Sequence, residues 1–213
     1  MRQALFPALS TTFTAMLFLL AAFLPSSQSY AAEETAILAG GCFWCVESDF
    51  DHVPGVVSTV SGYIGGETPN PTYKQVSAGG TGYIEAVKIT FDPATISYDK
   101  LLDIFWRSVD PTDDGGQFCD RGESYKTAIF TISDAQNDIA TQSKVTLEQS
   151  GKLPHTVVTA IRHATTFYPA EDYHQDYYNK NPIRYKYYRF SCGRDARVEE
   201  LWGKEAHRGI LMN

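Results

Sequence analysis

Positive charge is scarce in this chain: 18 lysines and arginines stand against 25 aspartates and glutamates among 213 residues. One of those cations, Arg2, lies in the first stretch, MRQALFPALSTTFTAMLFLLAAFLPSSQSYAAEE. Without it the rest carries a net charge of about −8, which excludes the broad basic face that nucleic-acid binding needs. Repeats, heptads and low-complexity tracts are also missing, so solenoids and coiled coils fall away. The five histidines, His52, His155, His163, His174 and His207, show no close pairing of the kind that holds a metal and read as surface or structural groups. Beyond the first stretch methionine is reduced to Met212.

Long apolar runs are missing as well. The one in the first stretch, Ala15 to Leu24, is about ten residues, too short to span a bilayer comfortably. One early positive charge precedes it and small residues follow it, with Ser29 and Ala31 at the positions a leader peptidase inspects, which is the pattern of a secretory signal peptide. The expected organisation is a leader over residues 1–31 and a single domain over 32–213, exported to a bacterial periplasm. About 182 residues suffice for one hydrophobic core.

Cysteine is sparse but patterned. Cys42 and Cys45 are three residues apart, whereas Cys119 and Cys192 stand alone, and all four lie in the part expected to be exported, where disulfides persist. Four cysteines allow three pairings. A bond closing so short a loop constrains an unfolded chain little, so the Cys42–Cys45 pair reads as chemical rather than structural.

Glu34 to Gly40 reads as a buried strand, and Phe43, Val46 and Phe50 then repeat with helical spacing, so Cys42 stands at a helix start. Val56 to Tyr63, Tyr83 to Phe91, Tyr125 to Ile132 and Val157 to Arg162 read as further strands. Helices are expected over Ser97–Val109, Ser133–Gly151, Glu171–Asn179 and Asp195–Trp202, the first two with serine caps. Asp110 to Gly122 is a polar loop carrying Cys119. The elements mingle without a strict βαβ repeat, which points to an α+β fold: a two-layer α/β sandwich with a mixed sheet, a ferredoxin-like core with elaborations.

A thiol at a helix N-terminus feels the partial positive charge there, so Cys42 is expected to be the nucleophile. Cys45, one turn further, lies on the same face and can resolve an oxidised Cys42. Alternation along YIEAVKITF puts Glu85 on one face with Val87, Ile89 and Phe91. A carboxyl group among those side chains is desolvated, its pKa rises, and it becomes a proton donor at neutral pH. Phe43 and Trp44 diverge by about 100° on a helix, so at least one ring lines whatever approaches Cys42. Aromatic walls beside a nucleophilic sulfur suit a methyl or thioether group.

GCFWCVE, GYIGGETPNPTYKQV, GYIEAVKITFDP, GQFCDRGESY and ATTFYPAEDYHQ with Asn181-Pro182 together resemble the A-type methionine sulfoxide reductases, peptide-methionine (S)-S-oxide reductases, over roughly Ala36 to Pro182. The resemblance implies that Cys42 attacks the sulfoxide sulfur, Glu85 protonates its oxygen, and Tyr73, Tyr125 and Asp120 bind that oxygen. Phe43 and Trp44 would form the methyl pocket. It also implies a sulfenic acid closed to a disulfide, with methionine sulfoxide, free or in oxidised proteins, as substrate. No cofactor or metal is implied, only an external thiol reductant of the thioredoxin type; a monomer is expected.

Many members of that family carry glycine where Cys45 stands and place resolving cysteines in a glycine-rich tail. Here Cys45 is assigned as the first resolving thiol and Cys192 as a second, and Cys119 is left as an inert pocket thiol, a third redox group or a partner of Cys192. Two other readings compete. A thioredoxin-like disulfide exchanger fits the Cys-x-x-Cys but leaves Glu85 and the GGETPNPTY loop without purpose. A four-cysteine zinc module fits poorly, because its second half lacks a Cys-x-x-Cys. Gly40-Gly41 lacks the lysine of a phosphate loop, and Arg121 stands where a calcium loop needs its glutamate.

Overall fold

The computed structural model describes residues 32–211 together with Met1. The leader expected over residues 2–31 lies outside the described residues.

Six strands form one mixed sheet in the order β7-β6-β1-β3-β2-β8. They are β1 (Glu34–Gly40), β2 (Val56–Ile64), β3 (Ile84–Phe91), β6 (Thr127–Thr131), β7 (Ala160–His163) and β8 (Tyr168–Pro169). The neighbours β1–β3, β1–β6 and β2–β3 are antiparallel, whereas β6 and β7 run parallel. With α1 (Phe43–Asp51) between β1 and β2, and α3 (Tyr98–Trp106) between β3 and β6, the centre is a βαββαβ unit. The ferredoxin-like core of an α+β fold is therefore present, with β7 and β8 added at its edges.

Alternation along the central strands separates two apolar clusters. Leu38, Val87, Ile89 and Phe91 point into the main core with Val46 and Phe50 of α1 and Leu101, Leu102 and Phe105 of α3. Ile37, Ala39, Ile84, Ala86 and Phe130 form a smaller cluster with Phe167 on the opposite side. Each large side chain fully buried there contributes roughly 1.5–3 kcal/mol, so the helices are held to one face of the sheet. Ser97 caps α3 by accepting from the Lys100 N–H, and Ser133 caps α4 (Asp134–Gln149) from the Gln136 N–H, as their sequence positions predict.

Several boundaries differ from expectation. Tyr125 belongs to a 3₁₀ turn, Glu123–Tyr125, and β6 starts only at Thr127. The expected strand over Val157–Arg162 is displaced to Ala160–His163. Glu171–Asn179 is mostly turns, with a short helix α5 (Tyr177–Lys180) at its end, because Gln175 ties that segment to Ser61 of β2 and Asp176 takes a left-handed conformation, φ 52°. Two helices go unforeseen: α2 (Tyr73–Ser77), closed by a capping box from Thr72 and Gln75, and α6 (Pro182–Ser191), which starts with proline in its first turn. A last helix, α7 (Arg194–Trp202), matches expectation within a residue. Among the described residues no helix is long and apolar enough to cross a membrane.

Candidate active site

Cys42 is the residue before the first turn of α1, and its carbonyl accepts from the N–H groups of Cys45 and Val46. The turn that delivers it needs glycine at position 41: φ is +83°, and a Cβ there would sit 2.5 Å from Cβ of Gln117. Both thiols are free and buried, with Cys42 7% and Cys45 2% exposed.

Glu85 reaches this helix start from β3. It is 2% exposed, and one oxygen accepts the free N–H of Phe43 at 3.0 Å. Burial pushes its pKa up to about 8 despite that hydrogen bond, with Asp120 and Cys45 adding to the rise. The carboxyl group is therefore largely an acid at neutral pH, as its strand position foretells. Cys42 departs from expectation. Its thiol is raised well above the ordinary value by burial, then by its hydrogen bond and charge interaction with Cys45 and by the nearby Glu85 and Asp120. The first N–H of the helix serves Glu85 instead of the sulfur, so the helix start does not outweigh desolvation.

Asp120 comes from a small hairpin, β4 (Gly116–Gln117) and β5 (Asp120–Arg121). Gln117 is fully buried and anchors it, exchanging hydrogen bonds with the backbone of Asp110 at 2.9 and 2.7 Å. The two-residue tip, Phe118 and Cys119, takes a left-handed conformation at Phe118, φ 56°, and places Cys119 at the surface. Cys119 is bonded to Cys192 at the end of α6, which selects one of the three roles open to it. Asp120 accepts from the Tyr188 hydroxyl, and burial raises its pKa. Tyr73 and Tyr125, both half-buried, lie near Glu85, Asp120 and Cys42 and near each other. Glu85, Asp120, Tyr73 and Tyr125, the four polar groups assigned beside Cys42 from the sequence, therefore lie around it.

Phe43 is buried and packs on Tyr63 and His174, with ring centroids 5.8 and 5.0 Å apart. Trp44 is half-buried. Its ring stacks on Tyr177 at 3.7 Å and meets Tyr188 edge-on, and its indole N–H donates to Nδ1 of His174 at 3.0 Å. Because Nδ1 accepts, the neutral ring carries its proton on Nε2; burial also lowers the His174 pKa.

From the sequence His174 reads as a surface or structural group, and Tyr177 and Tyr188 carry no assignment. A signal existed for the first, since a half-buried indole N–H requires a partner. The spacing Tyr185, Tyr188, Arg189, Cys192 carries a helical face, which the surrounding aromatics and charges obscure.

Among the described residues, the histidine, cysteine and carboxylate side chains close enough to share an ion are Cys119, Asp120 and Cys192. Their two sulfurs are bonded to each other, and Cys42 and Cys45 stand outside the group, so no four-sulfur cage is built.

Two thiols at a helix start, facing a carboxylic acid kept protonated by burial, define a cysteine-dependent oxidoreductase. A model of the family described as peptide methionine sulfoxide reductase matches residues 34–206. The MsrA/MsrB protein of Vibrio cholerae is 50% identical over 172 residues, which make up 81% of this chain and 46% of that protein. The MsrA of Bacillus licheniformis is 51% identical over 172 residues, 81% of this chain and 95% of that protein. The crystal structure of Mxr1 from Saccharomyces cerevisiae in reduced form superposes with a TM-score of 0.65 at 32% identity, covering 70% of this chain and 86% of that one. This chain belongs to the peptide methionine sulfoxide reductase family and is of its A type.

Proposed function

We propose that the protein reduces methionine (S)-sulfoxide, free or in oxidised proteins, and so repairs oxidative damage. Protonated Glu85 donates to the sulfoxide oxygen while Cys42 attacks the sulfur. Tyr73, Tyr125 and Asp120 hold the oxygen, and Phe43 and Trp44 hold the methyl group. The Cys42 thiol proton returns to the Glu85 carboxylate, the oxygen passes to Cys42 as a sulfenic acid, and methionine leaves. Cys45 then attacks that sulfur: an S–S bond forms, the S–O bond breaks and water departs.

Thiol–disulfide exchange carries the oxidation outward. Cys192 attacks the Cys42–Cys45 bond, and Cys119 closes on Cys192, restoring both inner thiols. The Cys119–Cys192 bond is the one an external dithiol protein of the thioredoxin type reduces, because Cys119 is exposed whereas the inner sulfurs are buried. No cofactor takes part. The leader reading adds that the protein works in a bacterial periplasm, where the donor is itself exported, and we further propose that it acts as a monomer.

The observation that carries this reading is Glu85: an acid with its pKa raised to about 8, bonded to the helix start beside Cys42. A disulfide exchanger has no need of it. The test is a single turnover without reductant, counting methionines formed per fully reduced chain. Two are expected; one would confine resolution to Cys45, and none would overturn the reductase reading.

A further inference from the structure

Behind Cys45 lies a buried set of charges that the reaction described above does not use. Asp49 is four residues from Cys45 on α1, on the same side of the helix, and is 2% exposed. Two guanidinium groups converge on it. Arg189 of α6 donates from Nη1 to Oδ1 at 2.7 Å, and Arg194 of α7 brings Nη2 to 3.5 Å from Oδ2. Arg189 is also gripped by Asp195 through Nε and Nη2. Arg194 is 1% exposed and has no such second carboxylate. It donates instead to the carbonyl oxygens of Gly40, at 3.0 Å, and Ser108, at 2.8 Å, and lies over the Phe118 ring. Its Nε and Oδ2 of Asp49 both lack a hydrogen-bond partner.

A guanidinium group is costly to bury, and two neutral carbonyls do not balance its charge. Here it meets both the carbonyl two residues before Cys42 and the carboxylate one turn beyond Cys45. We propose that Arg194 is a positioning residue for the second step: held by the Gly40 and Ser108 carbonyls, it supplies the buried positive charge that Cys45 needs as it attacks the Cys42 sulfenic acid. This rests on the reductase reading. In that step Cys45 gives up its proton, its sulfur bonds to the Cys42 sulfur, and the departing hydroxide takes a proton to leave as water. Net positive charge beside Cys45 favours that loss.

The groups facing Cys45 have mixed effects. From the cap and body of α1 these are Cys42 and Asp49, from β3 Glu85, from α5 Tyr177, from α6 Tyr185, Tyr188 and Arg189, and from α7 Arg194. The Cys45 pKa is lowered, first by the hydrogen bond from Cys42 and then by Arg194 and Arg189, against burial and Asp49.

The experiment starts from the protein with Cys119–Cys192 bonded and Cys42 and Cys45 reduced. It is mixed with one equivalent of methionine S-sulfoxide between pH 5 and 9 and acid-quenched. Mass spectrometry separates the sulfenic acid from the disulfide, which is lighter by one water, and released methionine reports the first step. Arg194→Gln is expected to leave the methionine burst unchanged, to slow disulfide closure about tenfold at pH 7 and to move its pH midpoint up by about one unit. Arg194→Lys should restore most of the rate.

Asp49→Asn removes a negative charge from the same set and should move the midpoint down. A merely structural role would damage both variants alike, so midpoints that move the same way, or not at all, overturn the proposal, as does equal slowing of both steps. Should Arg194→Gln not fold, the Asp49→Asn midpoint decides alone, and one that fails to fall is fatal. Absence of methionine from the unsubstituted protein would overturn the reductase reading itself, and the inference with it.

Discussion

Replacing Glu85 by glutamine separates its chemical role from its structural cost. With a pKa of about 8, about nine-tenths of the molecules carry the acid at pH 7, against well under one-hundredth for a carboxyl group at the ordinary value near 4.5. Burial thus multiplies the working form roughly 300-fold, within the 10²–10⁴ that a positioned acid contributes to a rate. Glu85→Gln keeps the size and can still accept from the Phe43 N–H, but it cannot donate the proton. Single-turnover methionine formation should fall by a factor of about 10²–10³ at pH 7. The rate of the unsubstituted protein should fall as pH rises through about 8, and the variant should lack that limb.

Stability moves in the opposite sense. The folded protein holds the Glu85 proton up to about pH 8, whereas the unfolded chain releases it near 4.5. Between those values the folded state binds more protons, so stability drops as pH rises, and the penalty is complete above pH 8. The order of magnitude is a few kcal/mol. Melting temperatures of the two proteins should therefore agree near pH 4.5 and separate by pH 8, with Glu85→Gln the more stable. Unchanged turnover would remove Glu85 from the acid role, and a pH-independent difference in melting would refute the raised pKa.

Cys42→Ser should form no methionine in single turnover while melting like the parent, since serine fits the same helix start; residual methionine would move the nucleophile elsewhere. Trp44→Ala loses the Tyr177 stack and the His174 hydrogen bond, and about 1–3 kcal/mol of lost packing should raise KM by roughly tenfold or more; an unchanged KM would free Trp44 from substrate contact. Glu47, on α1 with its pKa pushed up to about 7 chiefly by burial, holds a proton in the folded state that the unfolded chain loses near pH 4.5, so Glu47→Gln should gain melting temperature over the parent as pH rises from 4.5 to 7. A constant gap across that range would contradict the shift.

Period and punctuation carry much of this in the sequence. The alternation that buries Val87, Ile89 and Phe91 also buries Glu85, so its raised pKa follows from a strand pattern alone. Gly40-Gly41 followed by a helical repeat is enough to put Cys42 at a helix start. Other features are long-range and leave no local trace. The Cys119–Cys192 bond joins residues 73 apart, and nothing local to either cysteine specifies the other. Helix α6 exposes Ile183, Tyr187 and Phe190 while burying Tyr185 and Arg189, so apolar residues point both ways and the helical stripe is lost. Arg194 carries no local signal either, because Gly40, Ser108 and Asp49, which meet it, are all distant in sequence. The helix-start argument for Cys42 fails because it weighs one favourable term without the burial that opposes it.

That failure bears on the order of events. Burial and its hydrogen bond to Cys45 hold Cys42 as a thiol at rest, whereas that same hydrogen bond, with Arg194 and Arg189 behind it, lowers the Cys45 pKa. A pair arranged the other way would present its reactive thiolate to any oxidant entering the pocket. On the mechanism proposed above, Cys42 gains nucleophilic character only when a bound sulfoxide takes the Glu85 proton and leaves a carboxylate ready to accept the thiol proton. Cys45, one turn deeper and 2% exposed, meets no electrophile until Cys42 carries the oxygen. On the proposal above, Arg194 and Arg189 then favour loss of its proton and speed closure, which shortens the time the sulfenic acid is open to further oxidation. The two thiols are therefore ordered by their surroundings: burial and the hydrogen bond it donates to Cys45 keep Cys42 protonated, and that same bond, with the arginines of the last two α-helices, favours ionisation of Cys45.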